Sequence, residues 1–185
     1  MAERRARDIE LLDALDAHAG VSYEGDVWRI VRAERDVLEG FSSKARWDPG
    51  TSDVLYTSLE REGALEEVHF HLSRQPVFPS KLKSILHRIS VKTRRTLKLA
   101  DLSALAALGI APERYGELSY ERSQEIGDAA FFLGFDGILA PSARWPCQNL
   151  ILFMDRTEPG DLTVLESESV DWSGWRTTRQ GKRGK

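Results

Sequence analysis

Residues 124–153 are the most tightly punctuated part of the chain: a helical pattern, a glycine, a short apolar strand, a proline-serine turn, and a second apolar strand. Helical spacing over about 119–133 stops at Gly134, where a C-capping glycine belongs. The apolar run Ile138, Leu139 and Ala140 then meets Pro141, which has no backbone donor, so the chain must leave the extended ladder there. That geometry presents the Ser142 hydroxyl at a strand end, a common place for a binding or reacting group, although Pro-Ser is also an ordinary turn.

The remaining elements are mixed. Ile9, Leu11, Leu12 and Leu15 recur at helical spacing within 8–17 and open the chain with an amphipathic helix. Segments 27–32 (VWRIVR) and 54–59 (VLYTSL) are rich in strand formers. Asp48-Pro49-Gly50 between them is a strong turn signal. Ser58 or a neighbour is placed to cap a helix through EREGALEEVHFHL, against which Gly63 counts. Strands are expected at 85–91, 95–99, 137–140, 150–154 and near 163–165, with a short helix at 104–108. Irregularly spaced strands with helices in only a few gaps argue for a single α+β domain rather than a doubly wound parallel sheet.

Composition narrows the class. With 185 residues, 41% hydrophobic and 30% charged, the chain is long and apolar enough for one folded domain. No apolar run approaches the roughly 20 residues needed to cross a bilayer, and the first residues lack a secretory signal pattern, so a cytoplasmic location is the simplest expectation. The single cysteine, Cys147, excludes an internal disulfide and a paired-thiolate zinc site, and no metal site is expected. There is no Walker loop and no GxGxxG. On a helix, His69 and His71 point to different faces. The net charge of −3 hides a basic stretch at 74–98 free of acidic residues, followed by a basic C-terminal tail at 171–185 that is expected to be flexible. Such a stretch attracts nucleic acid, an acidic partner or a phosphorylated ligand, or serves as the wet side of strands.

A scattered polar set remains: Arg29, Arg46, Tyr56, Glu67 and Ser142. Arg29 sits within an apolar strand, where a guanidinium is costly to bury unless it meets an anion. Taken in order, WRIVR, RWDPG, VLYTS, ALEEVHFH, QEIGD, and GFDGILAPSAR followed by NLILF resemble the RES-domain toxins of bacterial toxin–antitoxin pairs, over about residues 27–153. Two departures stand out. Asp48 replaces the family's usual asparagine, and the glutamate is doubled; the spacing to Ala64 and His71 favours Glu67 over Glu66.

The resemblance implies an ADP-ribosyltransferase-like fold with mainly antiparallel sheets. The segments before Val27 and after Met154 lie outside it; the expected layout is a helical extension at 1–20 and a RES-type catalytic domain at 21–170. The resemblance implies NAD as substrate, cleaved at the nicotinamide–ribose bond, with ADP-ribose passed to a cellular protein such as a nucleotide-synthesis enzyme. The alternative is hydrolysis or phosphorolysis of NAD. It implies roles as well: Glu67 stabilising the ribose cation, Arg29 and Arg46 on the pyrophosphate, Tyr56 against nicotinamide or ribose, and Ser142 holding the nicotinamide or ribose. The implied partner is an antitoxin with a helical DNA-binding domain that blocks the cleft. The competing reading is a nucleic-acid binder or ribonuclease-type toxin using the 74–98 stretch, with Trp172 and Trp175 stacking on bases.

Overall fold

The structure is a computed structural model that describes residues 6–48 and 50–183. Its strands are β1 (Val21–Arg32), β2 (Val54–Ser58), β3 (Ser84–Lys98), β4 (Gly137–Pro141), β5 (Gln148–Phe153) and β6 (Leu162–Ser169). Its α-helices are α1 (Ile9–Asp16), α2 (Arg61–Leu72), α3 (Leu102–Ala107), α4 (Glu121–Phe132) and α5 (Trp172–Arg183).

The long strand β3 organises the sheet. β1 runs antiparallel along one edge of it, from Val21 opposite Thr96 to Arg32 opposite Ser84. The other edge is shared by β6, antiparallel, and by β4, parallel. β4 pairs with β5 and β5 with β2, both antiparallel. β2 returns to β1 through one aligned pair, Trp28 with Ser58. The pairings therefore close a circuit, β1–β2–β5–β4–β3, that is thinnest where β1 meets β2. Only the β3–β4 pairing is parallel among the described residues, so the expected mainly antiparallel α+β architecture is the one observed.

Side-chain alternation explains why the sheet holds two cores. In β5, Leu150 and Leu152 face one apolar cluster with Val27, Val31, Leu55 and Leu139. Ile151 and Phe153 face the other, shared with Ile138, Ile126 and Ala130. A strand buried on both faces reads as the unbroken apolar run NLILF.

Strands expected at 85–91 and 95–99 are one element. The polar residues that simulate a break are used internally. Thr93 Oγ1 accepts the Tyr23 N–H at 3.0 Å, and Asp136 Oδ2 accepts the N–H groups of Arg94 and Arg95 at 2.6 and 2.8 Å. Thus the aspartate of GFDG satisfies backbone donors where the β1 ladder shifts register. Ser58 ends β2; Glu60 stands at the α2 N-cap with no side-chain capping bond.

At the N-terminal end the helix expected over 8–17 is α1. Within the 1–20 extension, residues from Ala6 onward are described, and α1 buries Leu11 and Leu15 in the same core as α4. The 171–185 tail, expected to be flexible, is helical over Trp172–Arg183. Trp172 is 1% exposed and donates Nε1–H to Ser84 Oγ, so burial of one indole anchors the segment. One turn on, Trp175 Nε1–H reaches Glu62, and Arg179 makes a bidentate pair with the buried Glu66 at 2.6 and 2.7 Å. These two tryptophans pack inward rather than presenting stacking faces.

Much of the 74–98 basic stretch is also neutralised. Arg88 pairs with Asp26 and Glu166, Lys92 with Glu24, and Arg94 with Glu158 and Asp161. Arg95 lies over Phe135 and donates to the Leu133 carbonyl. The acidic partners come from neighbouring strands and a turn, which a linear count of charge does not reveal.

Arg179→Ala is expected to leave the Glu66 carboxylate buried without its cation and to cost on the order of 3 kcal/mol in stability. Urea unfolding of the two proteins measures the difference.

Candidate active site

A cavity of about 720 Å³ opens where β1 and β2 separate, walled by those strands, by α2, by the 43–47 turn and by residues 143–144. Arg29, Arg46, Tyr56 and Glu67 all line it. Ser142 does not. It lies behind Glu67 and borders a second hollow with Trp145 and Cys147.

Helix α2 resolves the doubled glutamate. Ala64, Glu67, Val68 and His71 line the cavity together, as a spacing of three, four and seven residues requires of one helical face. Glu66, about a hundred degrees away, faces α5 and pairs with Arg179. His69, three residues on, faces α5 as well, with its ring 4.9 Å from that of Trp175. Burial pulls the His71 pKa down, against the opposing pull of the Glu67 charge. Gly63, a weak helix former, is required by close packing: an added Cβ would collide with Ser58 Oγ and Cys147 Sγ.

Glu67 is held by the β4–β5 connection. Ser142 Oγ donates to Glu67 Oε1 at 2.6 Å, and Asn149 Nδ2 donates to the same oxygen at 3.0 Å. The hydroxyl itself is oriented by the N–H groups of Arg144 and Trp145, at 3.1 and 3.3 Å. The proline-forced turn thus aims Ser142 at the carboxylate rather than into the cavity. Among the described residues no side chain or backbone group donates to Oε2, while Asn149 Oδ1 is buried without a partner. An unpaired buried acceptor is costly unless a donor arrives.

The RWD turn carries Arg46. Asp48 is fully buried, and its two oxygens accept the N–H groups of Ser43 and Gly50 at 2.6 and 2.7 Å. With both oxygens engaged as acceptors of amides, a carboxylate suits the position where the family usually has asparagine. Helix α4 grips the same turn: Gln124 Nε2 donates to the carbonyls of Lys44 and Ala45. The Arg46 guanidinium lies 4.5 and 4.7 Å from the ring centroids of Tyr115 and Tyr120, and donates to the Glu117 carbonyl. Tyr56 supports the turn as well, its hydroxyl accepting the Trp47 N–H at 2.8 Å. Burial pushes that hydroxyl's pKa up, so it stays protonated.

Arg29 faces inward with Val27 and Val31 and is only 7% exposed. It donates to the carbonyls of Tyr56 and Glu39 at 3.3 and 3.2 Å, and its Nε is buried without a partner. Burial lowers its pKa to about 10, which leaves it cationic at neutral pH.

Sequence reasoning passed over Asn149, Arg144, His71, Tyr115 and Tyr120. Asn149 and Arg144 stand inside the quoted motifs, so adjacency to Ser142 was an available signal. Tyr115 comes from a segment without regular spacing and Tyr120 from the start of the expected 119–133 helix, and only the fold brings them to Arg46.

Gly127 is where α4 touches the RWD turn, and an added Cβ would overlap the Trp47 carbonyl oxygen. Gly127→Ala is expected to cost about 1–3 kcal/mol through forced displacement of that turn, read as a lowered melting temperature.

Comparison with known proteins accords with this geometry. The RES domain model matches residues 26–173. The NAD(+) phosphorylase MbcT of Mycobacterium tuberculosis (strain ATCC 25618 / H37Rv) is 26% identical over 170 residues, spanning 88% of this chain and 91% of its own. MbcT of Mycobacterium bovis aligns equally well. A chain in the crystal structure of the M. tuberculosis MbcT-MbcA toxin-antitoxin complex superposes with a TM-score of 0.83 at 25% identity, covering 95% of this chain and 100% of that one. Since the family model spans most of its length and every motif of the cleft, this chain belongs to the RES domain family.

Proposed function

We propose that this chain is a toxin-type enzyme that degrades NAD by phosphorolysis. One observation carries the reading. A carboxylate with one oxygen tied down and the other unpaired by protein shares a cavity with three arginines, Arg29, Arg46 and Arg144, that form no ion pair among the described residues. A dinucleotide supplies the missing anions through its pyrophosphate. The similarity to an NAD(+) phosphorylase supports phosphate as the acceptor. Transfer of ADP-ribose to a protein, the first expectation from the sequence, would begin with the same bond cleavage, but no residue of the cleft favours it over phosphate.

The chemistry follows from the charges. Loosening the bond between nicotinamide and ribose places positive charge on the ribose, and a fixed carboxylate nearby stabilises it without reorganising. Glu67 takes that role through Oε2. An oxygen of inorganic phosphate forms the new bond to carbon 1 of the ribose as the carbon–nitrogen bond breaks. The bonding pair returns to the pyridinium ring, which departs as neutral nicotinamide, leaving ADP-ribose carrying a phosphate ester. Ser142 and Asn149 hold Glu67 in place, Arg29 and Arg46 hold the pyrophosphate, and Tyr56 braces the Arg46 turn. The partner is an antitoxin that closes the cleft, in keeping with the toxin–antitoxin complex in which the similar fold is found.

Glu67→Gln keeps the shape of the side chain and removes its charge. Nicotinamide release measured with saturating NAD and phosphate is expected to fall at least about 100-fold in kcat, with the KM for NAD little changed. Turnover close to that of the unsubstituted protein would overturn the assignment.

A further inference from the structure

We propose that Arg144 forms a separate seat for the attacking inorganic phosphate, on the wall of the cleft next to Glu67. This rests on the phosphorolysis reading and assigns the acceptor a place within it.

Phosphorolysis brings two anions into one cleft, and the arginines divide accordingly. Arg29 is committed to the carbonyls of Tyr56 and Glu39, at the β1–β2 side. Arg46 is stacked between two tyrosines and donates to Glu117. Arg144 differs from both: its guanidinium makes no hydrogen bond or ion pair among the described residues, so its donor fork is open. A fork of parallel N–H groups matches the oxygens of a phosphate.

Two contacts set its position. Its backbone N–H donates to Ser142 Oγ, the hydroxyl that holds Glu67. Its guanidinium lies 3.3 Å from the ring centroid of Phe70, one turn beyond Glu67 on α2. Arg144 is thereby fixed at both ends next to the catalytic carboxylate. A phosphate approaching Glu67 unaided meets like charge, and a cation held there offsets that repulsion. Burial draws the Arg144 pKa down, while the Glu67 charge pulls the other way.

The test separates the two substrates kinetically. Nicotinamide release is measured with phosphate varied at saturating NAD, and with NAD varied at saturating phosphate. For Arg144→Gln, the KM for phosphate is expected to rise at least about tenfold while that for NAD stays within about twofold, with Arg144→Lys intermediate. Sulfate, a non-reacting oxyanion, is expected to compete with phosphate in the unsubstituted protein and to lose potency in Arg144→Gln. An unchanged phosphate KM, or a rise confined to NAD, overturns the phosphate seat and leaves the phosphorolysis reading intact. Release from the unsubstituted protein that is indifferent to phosphate overturns both.

Discussion

Two short hydrogen bonds to one oxygen join the halves of the active cleft. Ser142, at the end of β4, and Asn149, at the start of β5, both donate to Glu67 Oε1 on α2. The serine can do so because Pro141 ends the strand ladder and the next backbone amides orient its hydroxyl. The asparagine can do so because β5 is pinned on both sides, by β4 and β2. On an adjoining face α2 is fixed to α5 through Glu66 and Arg179. In the phosphorolysis we propose, a carboxylate supported this way needs little reorganisation to stabilise charge that appears only in the transition state.

Charge is distributed differently in the cleft than elsewhere. Elsewhere in the molecule, arginines such as Arg61, Arg88, Arg94 and Arg179 meet carboxylates. In the cleft, Arg29, Arg46 and Arg144 are held by carbonyls and aromatic faces, which orient a guanidinium without neutralising it. Positive charge fixed in a partly enclosed cleft favours a polyanionic ligand over a neutral one.

Much of this was legible in the sequence. Gly134, which has φ +84, marks the end of α4 within two residues, and the apolar run NLILF marks a strand buried on both faces. The α2 spacing of Ala64, Glu67 and His71 distinguishes the cleft glutamate from Glu66 once the segment is known to be helical. Three things were not legible. The hydrogen bonds by which Ser142 and Tyr56 hold Glu67 and the RWD turn carry no sequence signal, because direction within a turn depends on tertiary partners. The basic stretch read either as an anion-attracting patch or as the wet side of strands; the strand reading holds, but its acidic counterparts, 60 or more residues away as with Arg94 and Asp161, carried no signal in the sequence. The C-terminal residues read as a tail because they are basic and polar, whereas the burial of one indole, Trp172, holds the segment to the domain.

The most direct test of the account is the fate of the NAD phosphorus atoms. Purified protein is incubated with NAD and inorganic phosphate and followed by phosphorus NMR, with nicotinamide quantified in parallel. Phosphorolysis predicts a new phosphate-ester resonance that grows one for one with nicotinamide while the pyrophosphate signal persists. Nicotinamide without the ester, or NAD that survives intact, would contradict it.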